Sequence, residues 1–267
     1  MIRYVSIRRV LAPNPGLFTL EGTNTWLVGL GPTLVIDPGP ADREHLEAVV
    51  REAGGVTAII LTHHHPDHAP GAELLRDMTG VPVVAFDPRP GEERLEDGAV
   101  ITTVGASLTA VHTPGHTPDH LILVDGDSRS MFTGDMVLGR GTSVIDPPEG
   151  DLSAYVASLR RMLSLEPGAL YPGHGPVVPD GSAKLREYID HREEREGQVL
   201  AALSGGPRTA AEIVPGIYAA YAEVFHPIAA RSVLAHLLKL EAEGRVRRQG
   251  DPAEDGFELT DPTGRGP

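Results

Sequence analysis

Residues 62–71, THHHPDHAPG, place four histidines and one aspartate between positions 63 and 68. The segment follows VTAIILT, residues 56–62, whose continuous apolar run is typical of a strand buried on both faces. If the chain stays extended past this strand, His63 and His65 point to one side and His64 to the other, because side chains alternate along a strand. Two imidazoles on one side of a strand end could begin a metal site.

The same stretch supplies further ligand atoms where the chain turns. Asp67 and His68 follow Pro66, so both side chains can swing back toward His63 and His65. Two imidazoles, a carboxylate and a third imidazole are donor groups that can surround two adjacent metal ions.

Other His and Asp residues also stand in Gly/Pro turns at predicted strand ends. They are His116 in HTPGHTPDH, Asp135 in FTGD, His174 in YPGHGP and, in looser settings, Asp37 and His120. A single histidine between apolar strands is more often a hydrogen-bonded structural residue than a ligand. Repetition of the setting makes a shared metal site the better interpretation, and Asp135 could bridge two ions because a carboxylate has two oxygens.

The composition limits the possible metal ligands, the possible binding partners and the cellular location of the protein. There is no cysteine among the 267 residues, so disulfides are excluded and any metal must bind nitrogen and oxygen ligands. The net charge of −14 excludes a general polyanion-binding protein, although not a local basic face. No signal peptide is recognisable, and no apolar run approaches the ~20 residues of a membrane span. A soluble, cytoplasmic protein that does not contact a membrane is predicted.

The chain divides into a large first part and a small second part. Over residues 1–181, predicted strands alternate with helices, and several strands follow each other directly, which predicts an α/β domain with helices on a mixed sheet or on two packed sheets. A charged connecting helix is predicted over 182–204, before a Gly/Pro break. Helices and a hairpin in 205–267 predict a small winged-helix-like domain. Its predicted core is Leu234, Leu237, Leu238 and Leu240.

The motif THHHPDH resembles the T-H-x-H-x-D-H motif of the metallo-β-lactamase fold. His116, Asp135 and His174 match the later ligand positions of that fold in order. The resemblance implies an αββα sandwich with a dinuclear metal site. By this resemblance, the first metal would be held by His63, His65 and His116, the second by Asp67, His68 and His174, and Asp135 would bridge them. His64 occupies the variable position and is predicted to be a bystander.

Motifs beyond the ligands indicate one branch of this fold. GTNTWLVG, IDPG, HTPGHTPDH, FTGD, GDLSAYVASL, YPGHGP, the HREEREGQVL helix and the predicted winged helix together resemble lactamase-beta-2-like proteins over nearly the whole chain. The ligand set alone is shared with hydroxyacylglutathione hydrolases (glyoxalase II). The best-known zinc β-lactamases use a cysteine on the second metal, so lactam hydrolysis is not expected here. The chain also lacks the large inserted domain of RNA-processing endonucleases of this fold.

The resemblance and the ligand types imply a metal-dependent hydrolase. Two cations about 3.5–4 Å apart lower the pKa of a bridging water toward ~7, which supplies hydroxide as the nucleophile at neutral pH. Asp67 is the predicted catalytic residue, because it could orient this hydroxide and accept its proton. Zinc is the expected metal, although carboxylate ligands also suit iron or manganese.

The sequence leaves two substrate classes open. Similarity to glyoxalase II suggests a small ester or thioester, and the lactamase-beta-2-like branch suggests single-stranded RNA. A narrow apolar pocket closed by the 182–203 helix would favour the acyl substrate, whereas a wide groove from the metals to Arg245–Arg248 would favour RNA. A homodimer is implied by the resemblance only.

A metal- or ligand-sensing winged-helix DNA-binding protein is the alternative from a different class. From Gly205 to Gln249, six basic and four acidic side chains give a net charge of +2, and Arg245, Arg247 and Arg248 would cluster at the wing. DNA-binding domains of this size are usually more basic, and the predicted recognition helix VLAHLLKLEAEG is apolar and acidic. A packing or dimer role for this unit is an equal alternative.

Three more residues have candidate supporting roles. Asn24, on the first predicted hairpin, is a candidate substrate contact, whereas its neighbour Trp26 is predicted to be a core residue. Asp37 either bonds a metal-binding histidine or forms a turn, and His120 either orients a ligand or makes a loop hydrogen bond. His112, His191, His226 and His236 lack ligand context and are predicted to be structural or surface residues.

Overall fold

The structure is a computed structural model that describes residues 6–206, 208–220, 222–249 and 256–260. The strands are β1 (Ile7–Leu11), β2 (Asn24–Val28), β3 (Thr33–Ile36), β4 (Val56–Ile60), β5 (Val83–Ala85), β6 (Glu93–Arg94), β7 (Val100–Thr103), β8 (Ala106–His112), β9 (Leu121–Asp125), β10 (Met131–Gly134), β11 (Leu170–Pro172), β12 (Val246–Gln249) and β13 (Gly256–Leu259). The α-helices are α1 (Arg43–Ala53), α2 (Gly71–Thr79), α3 (Leu152–Ser164), α4 (Gly181–Ala202), α5 (Ala210–Ile217) and α6 (His226–Ala242).

Aspartates define where three of the helices begin. Asp42, Asp151 and Asp180 precede α1, α3 and α4 in extended conformation, and each carboxylate accepts a hydrogen bond from the amide three residues later. Such caps satisfy an amide that has no partner within the helix.

Two sheets form the centre of the first part of the chain. Strands β1 to β6 lie side by side in sequence order, and the second sheet has the order β11-β10-β9-β8-β7. The strands β3, β4, β5 and β6 are parallel, as are β10 and β11, while the other pairs within these two sheets are antiparallel. The sheets are therefore mixed, as the direct strand-to-strand connections predict.

The alternation of side chains divides each sheet into two buried faces. In β2 and β4, Trp26, Val28 and Ile60 pack between the two sheets, whereas Leu27 and Ile59 pack beneath α1 and α2. In the second sheet, Leu121 and Leu123 face the first sheet, and Ile122 packs in the cluster that includes residues of α3 and α4. Four layers result, and the predicted αββα sandwich is confirmed. Trp26 is a core residue, as predicted.

The C-terminal unit has a core of its own. It is built from α5, α6, the β12–β13 hairpin and the last turn of α4, with Leu237 and Leu240 fully buried and Leu234 and Leu238 packed against them. This arrangement confirms the predicted winged-helix-type unit. The hairpin tip at 250–255 and the end of the predicted domain at 261–267 lie outside the described residues.

The connecting helix α4 contributes to both parts of the molecule. Leu185, Tyr188 and Ile189 belong to the core over the second sheet, whereas Val199 belongs to the core of the C-terminal unit. The division into 1–181, 182–204 and 205–267 stays a prediction. Among the described helices, none combines the length and the apolar character needed to cross a membrane.

Candidate metal centre

The histidine stretch leaves the end of β4, and Asp37 fixes its position. Asp37 follows β3, the parallel neighbour of β4, and has a left-handed backbone with φ of 52°. Its buried carboxylate accepts hydrogen bonds from the amide and hydroxyl of Thr62, both at 2.8 Å, and from His68 Nδ1 at 2.9 Å. One carboxylate therefore holds both ends of the stretch, which is the histidine-bonding role considered for Asp37.

Three histidines form the first of two candidate ligand groups among the described residues. Ligand atoms of His63, His65 and His116 all lie within 4.8 Å of one another. His116 Nδ1 donates to the carbonyl of Val144 at 2.9 Å, so its Nε2 is free to face His65 Nδ1 at 3.0 Å. His63 Nδ1 lies 3.0 Å from the Thr62 hydroxyl, and its Nε2 is buried with no hydrogen-bond partner.

The second candidate group contains two carboxylates and two histidines. Ligand atoms of Asp67, His68, Asp135 and His174 also lie within 4.8 Å of one another. His174 Nδ1 lies 3.2 Å from the Gly22 carbonyl, and the two Nε2 atoms of His68 and His174 are 3.1 Å apart. Asp67 Oδ2 lies 3.1 Å from His174 Nε2.

Asp135 lies between the two groups. Its Oδ1 is 3.4 Å from Nε2 of both His68 and His174, and its Oδ2 is 3.8 Å from His116 Nε2. The side chain follows β10 directly, where the register with the parallel strand β11 shifts. The two carboxylate oxygens thus face different groups, which is the geometry that a bridging ligand needs.

The donor atoms fit a pair of cations. The outer nitrogens of His68, His116 and His174 each face a carboxylate or a carbonyl, so each ring can keep its proton there and offer the inner nitrogen to a metal. Lone pairs that converge at about 3 Å repel one another unless a proton or a metal lies between them. Histidines that donate outward and converge inward are the usual arrangement around a bound metal.

The pKa shifts within the cluster have opposite directions. Burial lowers the pKa of His63 well below its ordinary value, and the nearby His68 adds to this effect. Burial also opposes protonation of His68, but Asp135 and Asp37 outweigh it and raise the pKa of His68 well above its ordinary value. The pKa of the Asp135 carboxyl is lowered despite its burial, because His174 and His68 favour its ionised form.

His120 positions Asp135 rather than joining the candidate ligands. Its Nε2 accepts a hydrogen bond from the Asp135 amide at 3.1 Å, and its Nδ1 lies 3.2 Å from the Thr113 hydroxyl. Gly134, just before Asp135, must be glycine, because a Cβ there would lie 2.6 Å from Thr62 Oγ1 and 2.7 Å from His120 Nε2. The orienting role considered for His120 is therefore the one its contacts support.

Asn24 supports the loop that carries His174. Its amide donates to the carbonyls of Pro172 and Gly175, both at 2.9 Å, and the residue is fully buried. It does not line the cavity above the ligand groups. These positions favour a structural role for Asn24 over a substrate contact.

His64 points away from both ligand groups, as its alternating position predicts. Its Nδ1 lies 2.6 Å from Asp119 Oδ2, and its Nε2 lies 2.8 Å from Glu92 Oε2. Burial lowers the pKa of His64, but the two carboxylates outweigh it and raise the pKa above its ordinary value. Sequence reasoning did not identify Asp119 or Glu92, because neither stands in a recognisable spacing with His64.

A cavity of about 700 Å³ opens above the ligand groups. Its floor includes His65, Asp67, His116 and Asp135. Its apolar wall consists of Leu17, Phe18, Leu20, Leu138 and Val144. Leu17 and Phe18 are 59% and 56% exposed, so the segment before β2 presents apolar surface beside the floor. Nothing in the sequence of this segment distinguishes it from an ordinary loop.

Comparison with known proteins identifies the family. The profile of the Metallo-beta-lactamase superfamily matches residues 18–88 and 84–174, and the profile of the Beta-lactamase associated winged helix domain matches residues 209–255. Beta-lactamase-like protein 2 homolog of Drosophila melanogaster is 35% identical over 97% of this chain and 95% of its own length. Atrochrysone carboxyl ACP thioesterase of Aspergillus chevalieri is 37% identical over 89% of this chain and 82% of its own length.

A solved structure has the same fold over nearly the whole chain. The beta-lactamase domain protein of Burkholderia ambifaria has a TM-score of 0.84 at 20% sequence identity, and the match covers 95% of this chain and 91% of that chain. At this identity the likeness concerns the fold alone. The chain belongs to the metallo-beta-lactamase superfamily, as a hydrolase in which a beta-lactamase-associated winged-helix domain follows the catalytic domain.

Proposed function

We propose that the protein is a dinuclear, zinc-dependent hydrolase of small esters or thioesters. The observation that carries this proposal is the pair of ligand groups linked by Asp135 on the floor of a cavity with an apolar wall. The thioesterase name of a relative that matches 89% of this chain supports the acyl class.

The seven converging side chains would hold the metals. His63, His65 and His116 would bind one ion, Asp67, His68 and His174 the other, and Asp135 both. When bound, two such cations supply hydroxide at neutral pH and polarise the carbonyl oxygen of the substrate. Zinc suits the nitrogen-rich group, while the carboxylates of the second group also suit iron or manganese.

Asp67 is the proposed catalytic residue. It lines the cavity and its side chain is 23% exposed, unlike the fully buried His68 and His174 beside it. Burial raises the pKa of the Asp67 carboxyl, but His174 and His68 outweigh this effect and keep it ionised. An ionised carboxylate at the cavity surface can orient an attacking water and accept its proton.

The apolar wall would bind the acyl group of the substrate. Leu17, Phe18 and Val144 offer a surface on which a hydrocarbon chain loses contact with water. Each buried methylene group contributes about 0.8 kcal/mol, so a chain of a few carbons is enough to position the carbonyl above the metals.

The basic residues considered for RNA are paired with carboxylates. Arg245 pairs with Glu196, Arg247 with Glu258, and Arg248 with Glu241. None of these three arginines lines the cavity above the ligand groups. Single-stranded RNA therefore stays the second candidate substrate, and these three arginines do not favour it. The same pairing offers no support for a DNA-binding sensor.

The discriminating experiment is hydrolysis of a short-chain acyl thioester by the metal-loaded protein, with His116→Ala purified identically as the control. Release of the thiol can be followed with a thiol reagent, because the chain contains no cysteine. We expect hydrolysis by the wild type and none by the variant. An end-labelled single-stranded RNA is assayed in parallel and should stay intact. Cleavage of the RNA alone, lost in His116→Ala, would replace this proposal by an endoribonuclease.

Metal analysis of the same samples tests the second part of the proposal. We expect two zinc ions per chain in the protein as isolated. A cytoplasmic location and a homodimer stay predictions.

A further inference from the structure

A second cavity of about 380 Å³ adjoins the one above the candidate metal centre. The two cavities share Leu17, Phe18, Thr142, Ser143 and Val144 in their linings. The far side of this adjoining cavity is formed by α4 and by the C-terminal unit, through residues such as Tyr218, Phe225 and Ile228. A bound molecule could therefore extend from the metals to the winged-helix unit without leaving the protein surface.

The adjoining cavity is lined by cationic groups. Arg192 and Arg195, one turn apart on α4, lie along it, and none of the described residues that line it is an aspartate or a glutamate. Neither arginine forms an ion pair with any described residue. The concentration of positive charge contrasts with the net charge of −14 of the whole chain.

Neutral partners hold both guanidinium groups in place. Arg192 donates to the Ser143 carbonyl and lies over the Tyr155 ring, 5.2 Å from its centroid. Arg195 donates to Gln198 Oε1 at 2.6 Å and lies over the Tyr218 ring, 4.3 Å from its centroid. The positions of the two charges are thus fixed, while the charges themselves are not neutralised.

Hydrogen-bond donors in this cluster also lack acceptors. Nε of Arg192 and Nε of Arg195 are buried and have no hydrogen-bond partner. Arg192 as a whole is only 6% exposed. A largely buried charge without a counter-charge is unfavourable, and an anionic group in the adjoining cavity would compensate it.

We propose that the adjoining cavity binds an anionic group, a phosphate or a carboxylate, at the end of the thioester substrate remote from the scissile carbonyl. The proposal rests on the proposed thioesterase function and names the substrate class: an acyl thioester with a negatively charged thiol arm or a negatively charged acyl chain. The winged-helix unit then forms part of the substrate site, through Tyr218, Phe225 and Ile228.

Matched substrates test the proposal and identify which end carries the charge. Butyryl-pantetheine is neutral, butyryl-4′-phosphopantetheine has a charged thiol arm, and succinyl-pantetheine has a charged acyl chain. At constant ionic strength, we expect one charged substrate to have a kcat/KM about tenfold above that of the neutral one. The difference should lie mainly in KM, because a tenfold change corresponds to about 1.4 kcal/mol of binding energy. Equal kcat/KM values for all three substrates would overturn the proposal and leave the proposed hydrolase standing.

Substitution of Arg195 tests whether the preference for the charged substrate arises in the adjoining cavity. Arg195→Gln should reduce the preference for the charged substrate to about twofold or less, since the guanidinium is lost and the neutral amide remains. Arg186→Gln is the matched control, because Arg186 is an exposed arginine on the same helix and does not line the adjoining cavity. A preference that survives Arg195→Gln would place the anion elsewhere and overturn the assignment.

Calorimetric titration gives a readout that does not depend on hydrolysis. 4′-Phosphopantetheine and succinate monoamide are each titrated into the metal-loaded wild type, with pantetheine as the neutral reference. One of the anions should bind about tenfold more tightly than pantetheine, and Arg195→Gln should abolish the difference. Binding that Arg195→Gln leaves unchanged indicates an anion at the metals and contradicts the proposal. Loss of single-stranded RNA binding in Arg195→Gln, with no binding of either small anion, would contradict it in favour of a polynucleotide.

Discussion

Two sets of histidines with buried ring nitrogens differ in how these nitrogens are paired. At the candidate metal centre, His68, His116 and His174 each direct one nitrogen outward to a fixed acceptor and the other inward to the cluster. In the helical region, both nitrogens of His236 in α6 and Nδ1 of His191 in α4 are buried without a partner. His236 is as buried as these histidines and His191 is half-buried, but the hydrogen-bonding pattern of both differs from that at the metal centre.

The difference separates a prepared ligand from a histidine that is merely buried. An outward hydrogen bond fixes the tautomer and the ring orientation, and so leaves a lone pair in a defined direction. His236 has no such restraint, and its burial, with Arg192 and Lys239 nearby, lowers its pKa. Substitutions at the two regions should therefore have different consequences.

The largest effect is expected for Asp135→Ala. This change removes the carboxylate whose oxygens face both ligand groups, so we expect fewer than two metals per chain and a loss of kcat/KM of about 10³-fold or more. Metal analysis and thioester hydrolysis measure the two effects. Asp190→Asn on the exposed face of α4 is the control, and full activity in Asp135→Ala would remove the bridging role.

A smaller effect is expected for Asp37→Ala. This change leaves the candidate ligands intact but removes the acceptor that orients His68 Nδ1. We expect the metal held by the group that contains His68 to lose about 10- to 100-fold in affinity, the usual effect of removing a hydrogen-bond partner of a metal-binding histidine. Competition with a zinc-binding dye provides the dissociation constant, and an unchanged constant would show that the outward hydrogen bond is unimportant.

Which side chains meet at the metal centre could be predicted only in part from the sequence. The convergence of His63, His65 and the later histidines follows from strand alternation and from Gly/Pro turns at strand ends, which are local signals. The partners of the bystander His64 could not be predicted, because Asp119 and Glu92 reach it across 55 and 28 positions of chain. Such contacts depend on loop packing, which leaves no periodicity in the sequence.

The fold class could be predicted from local patterns, whereas the cavities could not. Continuous apolar strands and helical spacing were enough to predict an α/β domain, with helices on a mixed sheet or on two packed sheets, and the C-terminal unit. The αββα order was implied by the family resemblance. The apolar wall at Leu17 and Phe18, and the position of Arg192 and Arg195 beside it, result from tertiary packing of α4 against a distant loop. No local pattern in the residues around Leu17 or Arg195 indicates that they face each other.

His236→Leu tests the helical region through the pH dependence of stability. Burial, with Arg192 and Lys239 nearby, lowers the pKa of His236 to about 3. A histidine whose pKa is lowered in the folded state does not reduce the free energy of unfolding at pH values above the unfolded pKa of about 6.5. As the pH falls from there toward 3, the unfolded state binds a proton that the folded state does not, so the free energy of unfolding decreases. Between pH 6.5 and pH 5, the wild type should therefore lose about 2 kcal/mol more unfolding free energy than His236→Leu. Urea unfolding at both pH values measures this difference, and parallel pH profiles would contradict a neutral, unpaired His236.

The smallest effect is expected for Arg247→Gln. Arg247 is exposed and pairs with Glu258 across the β12–β13 hairpin, and such surface pairs contribute about 0–1 kcal/mol. Because the arginine is already paired, the change should not alter binding to random duplex DNA in a gel shift. Salt-sensitive DNA binding by the wild type that is lost in Arg247→Gln would instead support the DNA-binding alternative.

The most direct test of the metal centre is the number of metal ions per chain in the wild type, His64→Ala and His116→Ala, measured by elemental analysis of identically purified proteins. We expect two ions in the wild type, two in His64→Ala, and at most one in His116→Ala. His64 faces Asp119 and Glu92, whereas His116 faces the cluster, so only the substitution of His116 should remove metal. Loss of metal in His64→Ala with both ions retained in His116→Ala would contradict the account.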